Sequence, residues 1–146
     1  GPLQAAARAR NVSVVVHELA PGAAADATLD AIRRDRPDGL VVLPDAYLRT
    51  FESRILDLAT RMRVPAIYGN RQYVDAGGLM AYGPDFRENF RRAATYVDRI
   101  LKGASPRDLP VERPTRFELV LNAKTARSLG LTIPQSLLLQ SDRIIE

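Results

Sequence analysis

Short apolar runs alternate with amphipathic stretches through the middle of this sequence, and this alternation constrains the fold more than any other feature. The runs 40–43, 64–68 and 79–82 predict strands, and the last is expected to be covered on both faces of a sheet. Apolar residues recur at helical spacing in 51–62 and 86–101, which predicts two amphipathic helices. Repeated strand–helix units with short connections favour a parallel sheet. The predicted fold class is therefore α/β, with a doubly wound, mostly parallel sheet flanked by helices.

The second of these helices is marked at both ends. Asp85 is the predicted N-cap, and Glu88 is spaced to bond back to the N–H of the cap residue. Gly103 can supply the left-handed residue that ends a helix, and Pro106 prevents continuation. Because its apolar residues form one stripe, we expect this helix to lie on a core.

One more strand–helix unit is predicted before this region. Residues 3–10 contain helix formers and predict the end of a short helix. The β-branched run 12–19 predicts a strand, and Pro21 with Gly22 predicts the turn after it. Apolar spacing then predicts a helix that ends near Pro37.

The C-terminal part begins with a proline-rich stretch, 104–116, which predicts an extended linker over the surface. The run 117–121 predicts a strand, followed by a short helix capped by Asn122 and ended by Gly130. The last residues predict a short helical turn and a brief strand at 143–145.

The length of 146 residues suits one domain with a sizeable core. Residues 1–2 are typical of a cleaved purification tag. We expect 3–103 to form an α/β ligand-binding lobe, 104–116 to be the linker, and 117–146 to complete or bridge the lobe.

Charge and cysteine content exclude several classes of function. The net charge of +4 comes from scattered arginines without a basic run, so we expect no nucleic-acid partner. The absence of cysteine excludes disulfides and a thiol nucleophile. No apolar run approaches the ~20 residues of a membrane span. A secreted protein would need a leader peptide in its precursor, and such a leader could have been removed from this chain.

Enzymatic signatures are missing from the sequence. It contains no nucleophile elbow, no phosphate-binding loop and no dinucleotide-binding glycine motif. His17 is the only histidine and falls in a predicted strand, so we expect a structural histidine there. The sequence therefore predicts a protein that is not an enzyme, with no catalytic residue, no cofactor and no metal site.

Polar side chains gather where the predicted strands end. Asp45, Asn70 and Tyr82 each close a strand, while the following turns hold Tyr47, Arg71 and Asp85. Carboxyl ends of parallel strands share one edge of a sheet, so these six residues are the candidate ligand-binding residues. The alternative is structural, with Asp45 and Asp85 as helix caps and Asn70 as a turn residue.

Three stretches carry a resemblance to a known family. RPDGLVVLPD, VPAIYGNRQYVDAGGLMAYGPDFRENFRRAATYVDRILKG and DLPVERPTRFELVLNAKTARSLGLTIPQSLL resemble the C-terminal half of periplasmic substrate-binding proteins of ABC transporters, of the tryptophan- and tyrosine-binding type. The resemblance implies one lobe of a type I periplasmic-binding fold. It also implies a periplasmic carrier of a small organic solute, which is an amino acid or an aromatic or branched-chain acid. Such a carrier delivers the solute to a membrane permease and contacts the membrane only through that permease.

The resemblance places ligand contacts at Asn70 and Arg71, with Tyr82 and Asp85 in the turn before the long helix. In chemical terms, Asp45 suits an ammonium group and Arg71 suits a carboxylate bound by two parallel bonds. Tyr47 or Tyr82 can stack on an apolar or aromatic part of the solute, and the helix that starts after Asp85 can offer backbone N–H donors.

The resemblance also implies a central strand before Leu3, which this sequence does not contain. We expect the gap to be filled by the 117–121 strand, by rearrangement, or by a strand from a second copy, which would give a homodimer by strand exchange.

Two other readings of the sequence remain open. An effector-sensing domain of a transcription regulator shares this lobe architecture but would need a DNA-binding segment upstream. A small flavodoxin-like enzyme or receiver domain is disfavoured, because Ala20, Pro21 and Gly22 follow the first strand where a receiver needs acidic residues.

Overall fold

The structure is a computed structural model that describes residues 2–19 and 25–146. Its elements fall into two units, one up to Pro37 and one from Asp38 onward, and each is described by itself. The turn predicted at Pro21 and Gly22 lies outside the described residues.

The first unit contains two helices, α1 (Pro2–Arg8) and α2 (Ala25–Asp35), both as predicted. The strand predicted for 12–19 is wrong, because these residues are in no strand of the structure. Val15 and Val16 of this run are exposed. β-branched residues favour a strand only where a neighbouring strand supplies the hydrogen bonds, and no described strand pairs with this run. The His17 ring contacts Asp35, with 2.9 Å between Nε2 and Oδ2.

The second unit contains the strands and longer helices that the sequence predicts, together with two four-residue helices that were not predicted. In chain order it contains β1 (Leu40–Val42), α3 (Ala46–Arg49), α4 (Glu52–Met62), β2 (Ala66–Tyr68), α5 (Gln72–Asp75), β3 (Met80–Pro84), α6 (Phe86–Leu101), a 3-10 turn (Pro106–Asp108), β4 (Phe117–Asn122), α7 (Ala123–Ser128), α8 (Gln135–Gln140) and β5 (Arg143–Ile145).

These strands form one five-stranded sheet in the order β1-β2-β3-β4-β5. The pairs β1–β2, β2–β3 and β4–β5 are parallel, and β3–β4 is antiparallel. The prediction of an α/β fold with a mostly parallel sheet is confirmed. The 117–121 strand lies between β3 and β5, away from β1, so it does not supply a neighbour for β1. Within the described sheet β1 is an edge strand, and strand exchange through that edge stays a prediction.

One face of the sheet carries the core of this unit. Tyr68, Ala81 and Val120 of the sheet are buried together with residues of α4 and α5. The rings of Tyr68 and Tyr73 stack with 4.6 Å between centroids. Burial raises the pKa of Tyr68 to about 12, so its ring stays neutral in the core. This packing joins α5 to the end of β2.

The opposite face of the sheet is open at several positions, although Leu121 on the same face is buried. The register places Val41, Tyr82, Phe117 and Ile144 on this face, and all four are exposed. The prediction that the 79–82 strand is covered on both faces is therefore wrong for the described part of the chain. An apolar run predicts a strand that is shielded from water, but it does not identify the part of the protein that covers the strand.

Helix α6 lies apart from the core. Of its 16 residues, all described by the structure, none is buried, and Phe90 is 75% exposed. Polar contacts connect it to the linker: Arg92 pairs with Glu112, and the Tyr96 hydroxyl donates to the Pro110 carbonyl at 2.8 Å. The expectation that this helix lies on a core is wrong, since the periodicity defines an apolar stripe but not its partner.

The ends of α6 match the sequence signals in part. Asp85 is the N-cap, and its Oδ1 accepts from the backbone N–H groups of Arg87 and Glu88. Glu88 does not bond back to the cap: its carboxylate pairs with Arg91, and the Asp85 N–H donates to the Arg116 carbonyl at 3.0 Å. Gly103 follows the helix with a φ of 99°, the left-handed conformation that favours glycine.

The C-terminal elements are where the sequence predicts them. Asn122 caps α7, with its Oδ1 accepting from the Thr125 N–H at 2.9 Å. Gly130, which follows α7, has a φ of 74°. The short terminal helix and strand are α8 and β5.

Candidate ligand-binding site

The carboxyl ends of β1, β2 and β3 meet at one edge of the sheet, which we call the carboxyl edge. A β-carbon placed on Gly83 would lie 2.2 Å from the Gly69 carbonyl oxygen, so β3 passes very close to the turn after β2. Because β4 runs antiparallel to β3, Pro84 pairs with Phe117, and β4 starts at this same edge. The edge therefore receives side chains from four strands and their turns.

Asp45 and Tyr47 lie in the turn after β1. The exposed Asp45 caps α3, and its Oδ1 accepts from the N–H groups of Tyr47 and Leu48 at 2.8 and 3.0 Å. Tyr47 packs edge-on against Phe51, with 5.2 Å between ring centroids. The structural role predicted for Asp45 as a cap is present, and one oxygen, Oδ2, remains for other partners.

Asn70 and Arg71 lie in the turn between β2 and α5. Asn70 Oδ1 accepts from the Gln72 N–H at 3.1 Å, which is the predicted turn role. Arg71 is only 20% exposed and lies between two carboxylates. Its Nε is 3.4 Å from Asp75 Oδ2, and its Nη1 is 3.4 Å from Glu118 Oε2. The guanidinium is thus held at the edge by long contacts that leave donors for a ligand.

Packing around α5 fixes the position of this arginine. The Tyr73 hydroxyl donates to the Leu48 carbonyl at 3.1 Å, which joins α5 to α3. Arg49 donates to Gln72 Oε1 at 2.8 Å across the same junction. The turns after β1 and β2 are therefore joined by a buried ring and a surface hydrogen bond.

Tyr82 and Asp85 come from the end of β3. Tyr82 is 56% exposed and stacks on Phe117, with 5.8 Å between ring centroids. Asp85 is mostly buried, and besides capping α6 its Oδ2 lies 3.5 Å from the Nε of Arg116. All six predicted residues therefore lie in or directly after the strands of the carboxyl edge.

Glu118 and Phe117 also reach this edge, and the sequence analysis missed both. The side chain of Glu118 is 13% exposed, and burial is the main cause that raises the pKa of its carboxyl group, with Arg71 acting in the opposite direction. The signal available was the long proline-rich connection before β4, which allows a strand to enter the sheet in the reverse direction. Nothing else in the repeated strand–helix pattern indicates that β4 runs antiparallel to β3.

Two other features are absent from the described ranges, 2–19 and 25–146. These ranges contain no group of three or more histidine, aspartate or glutamate side chains arranged to hold a metal ion. No helix within them is both long and apolar enough to span a bilayer.

Parallel strands that end in a row of polar and aromatic side chains define an α/β ligand-binding domain. The chain belongs to the ABC transporter substrate binding protein family, whose model matches residues 3–145. The predicted resemblance is confirmed at the level of the family, which is one of binding proteins. No curated protein sequence matches the chain.

Solved structures share the fold at low sequence identity. A conserved domain protein from Vibrio cholerae is 24% identical with a TM-score of 0.88, and the match covers 98% of this chain and 48% of that one. An ABC domain in complex with L-Trp from Streptococcus pneumonia is 23% identical with a TM-score of 0.88, covering 99% and 50%. A ligand-free, open substrate binding protein with adhesive properties from Clostridium difficile is 19% identical with a TM-score of 0.64, covering 98% and 48%. The chain thus spans about half the length of these structures.

Proposed function

We propose that this chain is the ligand-binding lobe of a solute-binding component of an ABC importer. Its solute is an amino acid or a related aromatic or branched-chain acid, bound at the carboxyl edge of the sheet. The observation that carries the proposal is the position of Arg71, a largely buried cation at the point where three parallel strands end. Membership of the ABC transporter substrate binding family supports the same class of function.

The chemistry of the edge suits a carboxylic acid with an apolar side chain. Arg71 offers a planar set of N–H donors that matches a carboxylate, and its two carboxylate neighbours lie at long distances. The exposed stack of Tyr82 and Phe117 lies on the face of the sheet opposite to Glu118, so it offers an aromatic surface to a solute side chain that passes over the carboxyl edge. The pneumococcal structure with L-Trp makes tryptophan a reasonable first probe.

Transport needs partners beyond this chain, and these are part of the proposal. The structural relatives are about twice as long, so a second lobe is expected to close over the carboxyl edge and bury the solute. A membrane permease would then receive the solute, and the protein would work in the periplasm or another extracytoplasmic space. The open face of the sheet and the apolar stripe of α6 are surfaces that further protein can cover.

The experiment that tests this function is isothermal titration calorimetry of the full-length protein. The probes are L-tryptophan, L-tyrosine and L-leucine, with D-glucose as a neutral solute without a carboxylate. We expect at least one amino acid to bind and to raise the melting temperature, and D-glucose to have no effect. Absence of binding by every amino acid would overturn the proposed solute class.

Two variants of Asp45 separate its role as a helix cap from a role in binding. Asp45→Asn keeps an oxygen that can accept from the Tyr47 and Leu48 N–H groups, while Asp45→Ala removes it. We expect Asp45→Ala to lower the free energy of unfolding by about 1 kcal/mol and Asp45→Asn to leave it nearly unchanged.

Calorimetry with L-tryptophan then tests the charge itself. If Asp45 contacts the ammonium group, Asp45→Asn loses about tenfold in affinity although it remains stable. Unchanged affinity in Asp45→Asn would remove Asp45 from the binding residues and leave it as a cap.

A further inference from the structure

Glu118 differs from the other acidic residues of the carboxyl edge in how its oxygens are used. Asp45 and Asp85 each accept two backbone N–H groups as helix caps. Glu118 accepts from no backbone N–H within the described residues, and its contact there is the 3.4 Å approach of Arg71 Nη1. A carboxylate has about four acceptor positions, so a largely buried glutamate with one long contact has most of its capacity unused.

The pair formed by Arg71 and Glu118 matches the head group of an α-amino acid. An amino acid carries a carboxylate and an ammonium group on the same carbon atom, so its two opposite charges lie side by side. Arg71 and Glu118 present the complementary order, a cation beside an anion, with 3.4 Å between the nearest atoms. Asp75, the other partner of Arg71, is also paired with Arg143 at 3.2 Å, so it retains a cation when Arg71 binds a ligand.

The strand pairing places this pair beside the closest approach of the backbone. Gly83 pairs with Glu118 across the antiparallel ladder, and Gly83 also passes the Gly69 carbonyl. The turn after β2 fills the space over Gly83, and Pro44 fills the space over Gly69, so a ligand head group at Arg71 and Glu118 has to lie beside these two glycines and not over them.

We propose that Glu118 is a specificity-determining residue that accepts hydrogen bonds from the ammonium group of an α-amino acid whose carboxylate is bound by Arg71. The inference rests on the proposed function and deepens it, because it selects amino acids over acids that lack the amino group. Under this inference the ammonium group contacts Glu118 and not Asp45, so Asp45→Asn is expected to retain the affinity for L-tryptophan.

The charges around Glu118 predict how its protonation affects binding. Burial raises the pKa of its carboxyl group, Arg71 lowers it, and Asp85 and Asp142 raise it. Only the ionised carboxylate can pair with an ammonium group, so affinity for an amino acid falls as the pH drops through the pKa of Glu118. Ionised Glu118 does not strengthen the binding of an acid without an ammonium group. The affinity for such an acid therefore lacks this fall at low pH.

Calorimetry of the full-length protein with matched probes tests the proposal. L-tryptophan is compared with indole-3-propionate, which has the same ring and carboxylate but no amino group. We expect Glu118→Gln, which is nearly the same size, to lose roughly tenfold or more in affinity for L-tryptophan. It should not lose affinity for indole-3-propionate, and the acid-side fall in L-tryptophan affinity should become smaller. L-tyrosine with 3-(4-hydroxyphenyl)propionate and L-leucine with 4-methylpentanoate serve as further pairs.

The matched control is Glu112→Gln, the same substitution in a glutamate that pairs with Arg92 beside α6. It should leave the affinity for L-tryptophan unchanged. Thermal unfolding of each variant shows whether it is folded. Glu118→Asp keeps the charge, should retain more affinity than Glu118→Gln, and provides a second test if Glu118→Gln is unstable.

The outcomes distinguish this inference from the function on which it rests. If the unaltered protein binds an amino acid and Glu118→Gln binds it equally well, Glu118 has no such role while the proposed function stands. Equal losses for the amino acid and its deaminated analogue would also overturn the inference, because they indicate a general structural effect. If the unaltered protein binds no amino acid, the proposed solute class fails before any variant is made, and the role of Glu118 fails with it.

Discussion

Arg71→Ala is expected to lower the affinity of the full-length protein for L-tryptophan by about a hundredfold or more. The substitution removes the cation that would hold the carboxylate of the solute by charge-assisted hydrogen bonds. It also leaves Glu118, which is largely buried, without its cationic partner, and an unpaired carboxylate repels an acidic ligand. Calorimetry of the variant and of the unaltered protein measures the difference.

Two further variants make this result specific. Arg71→Lys keeps the charge but loses the planar set of donors, so we expect an intermediate affinity. Arg107→Ala removes an arginine whose side chain is 86% exposed in the 3-10 turn, and it should have no effect. An Arg71→Ala protein that stays folded and binds within threefold of the unaltered protein would remove Arg71 from the site.

Gly83→Ala is expected to destabilise the second unit by about 2–3 kcal/mol, which is at the upper end of the usual cost of overpacking. The added β-carbon would lie 2.2 Å from the Gly69 carbonyl oxygen and 2.9 Å from its carbonyl carbon. Both are backbone atoms, so relief requires that β3 and the turn after β2 move apart. That movement would also displace Arg71, two residues after Gly69, so we expect ligand affinity to fall in the folded fraction.

Gly39→Ala is the matched control for this substitution. Its β-carbon would lie 3.6 Å from the Pro65 carbonyl oxygen, an ordinary van der Waals distance. We expect it to be neutral or slightly stabilising, because alanine restricts the unfolded chain more than glycine does. Urea unfolding of the two variants compares them directly, and equal stability would show that β3 tolerates a side chain at Gly83.

The element positions could be predicted from the sequence because they depend on local patterns. The strands β1, β2 and β3 follow from short apolar runs bounded by turn residues, and α4 and α6 follow from helical spacing. Caps at Asp85 and Asn122 were visible because the residue types are specific to that role. The run 12–19 shows the limit, since its β-branched residues predict a strand that needs a partner the described chain does not supply.

The candidate site was only partly visible from the sequence. Residues directly after β1, β2 and β3 were found because parallel strands place their carboxyl ends together. Glu118 was missed because it lies at the start of β4, and its place at the same edge depends on the antiparallel pairing of β4 with β3. No residue near Glu118 encodes the direction in which that strand enters the sheet.

The α/β class, the order of the strands and longer helices from Leu40 onward, and the family could be obtained from the sequence alone, because periodicity and short motifs are properties of neighbouring residues. The tertiary structure was needed to show that Arg71 and Glu118, 47 residues apart, lie within 3.4 Å of each other, that α6 has no buried residue, and that one face of the sheet is partly open. These features depend on which surfaces pack against each other. The free energy that stabilises this packing comes from contacts between segments far apart in the chain.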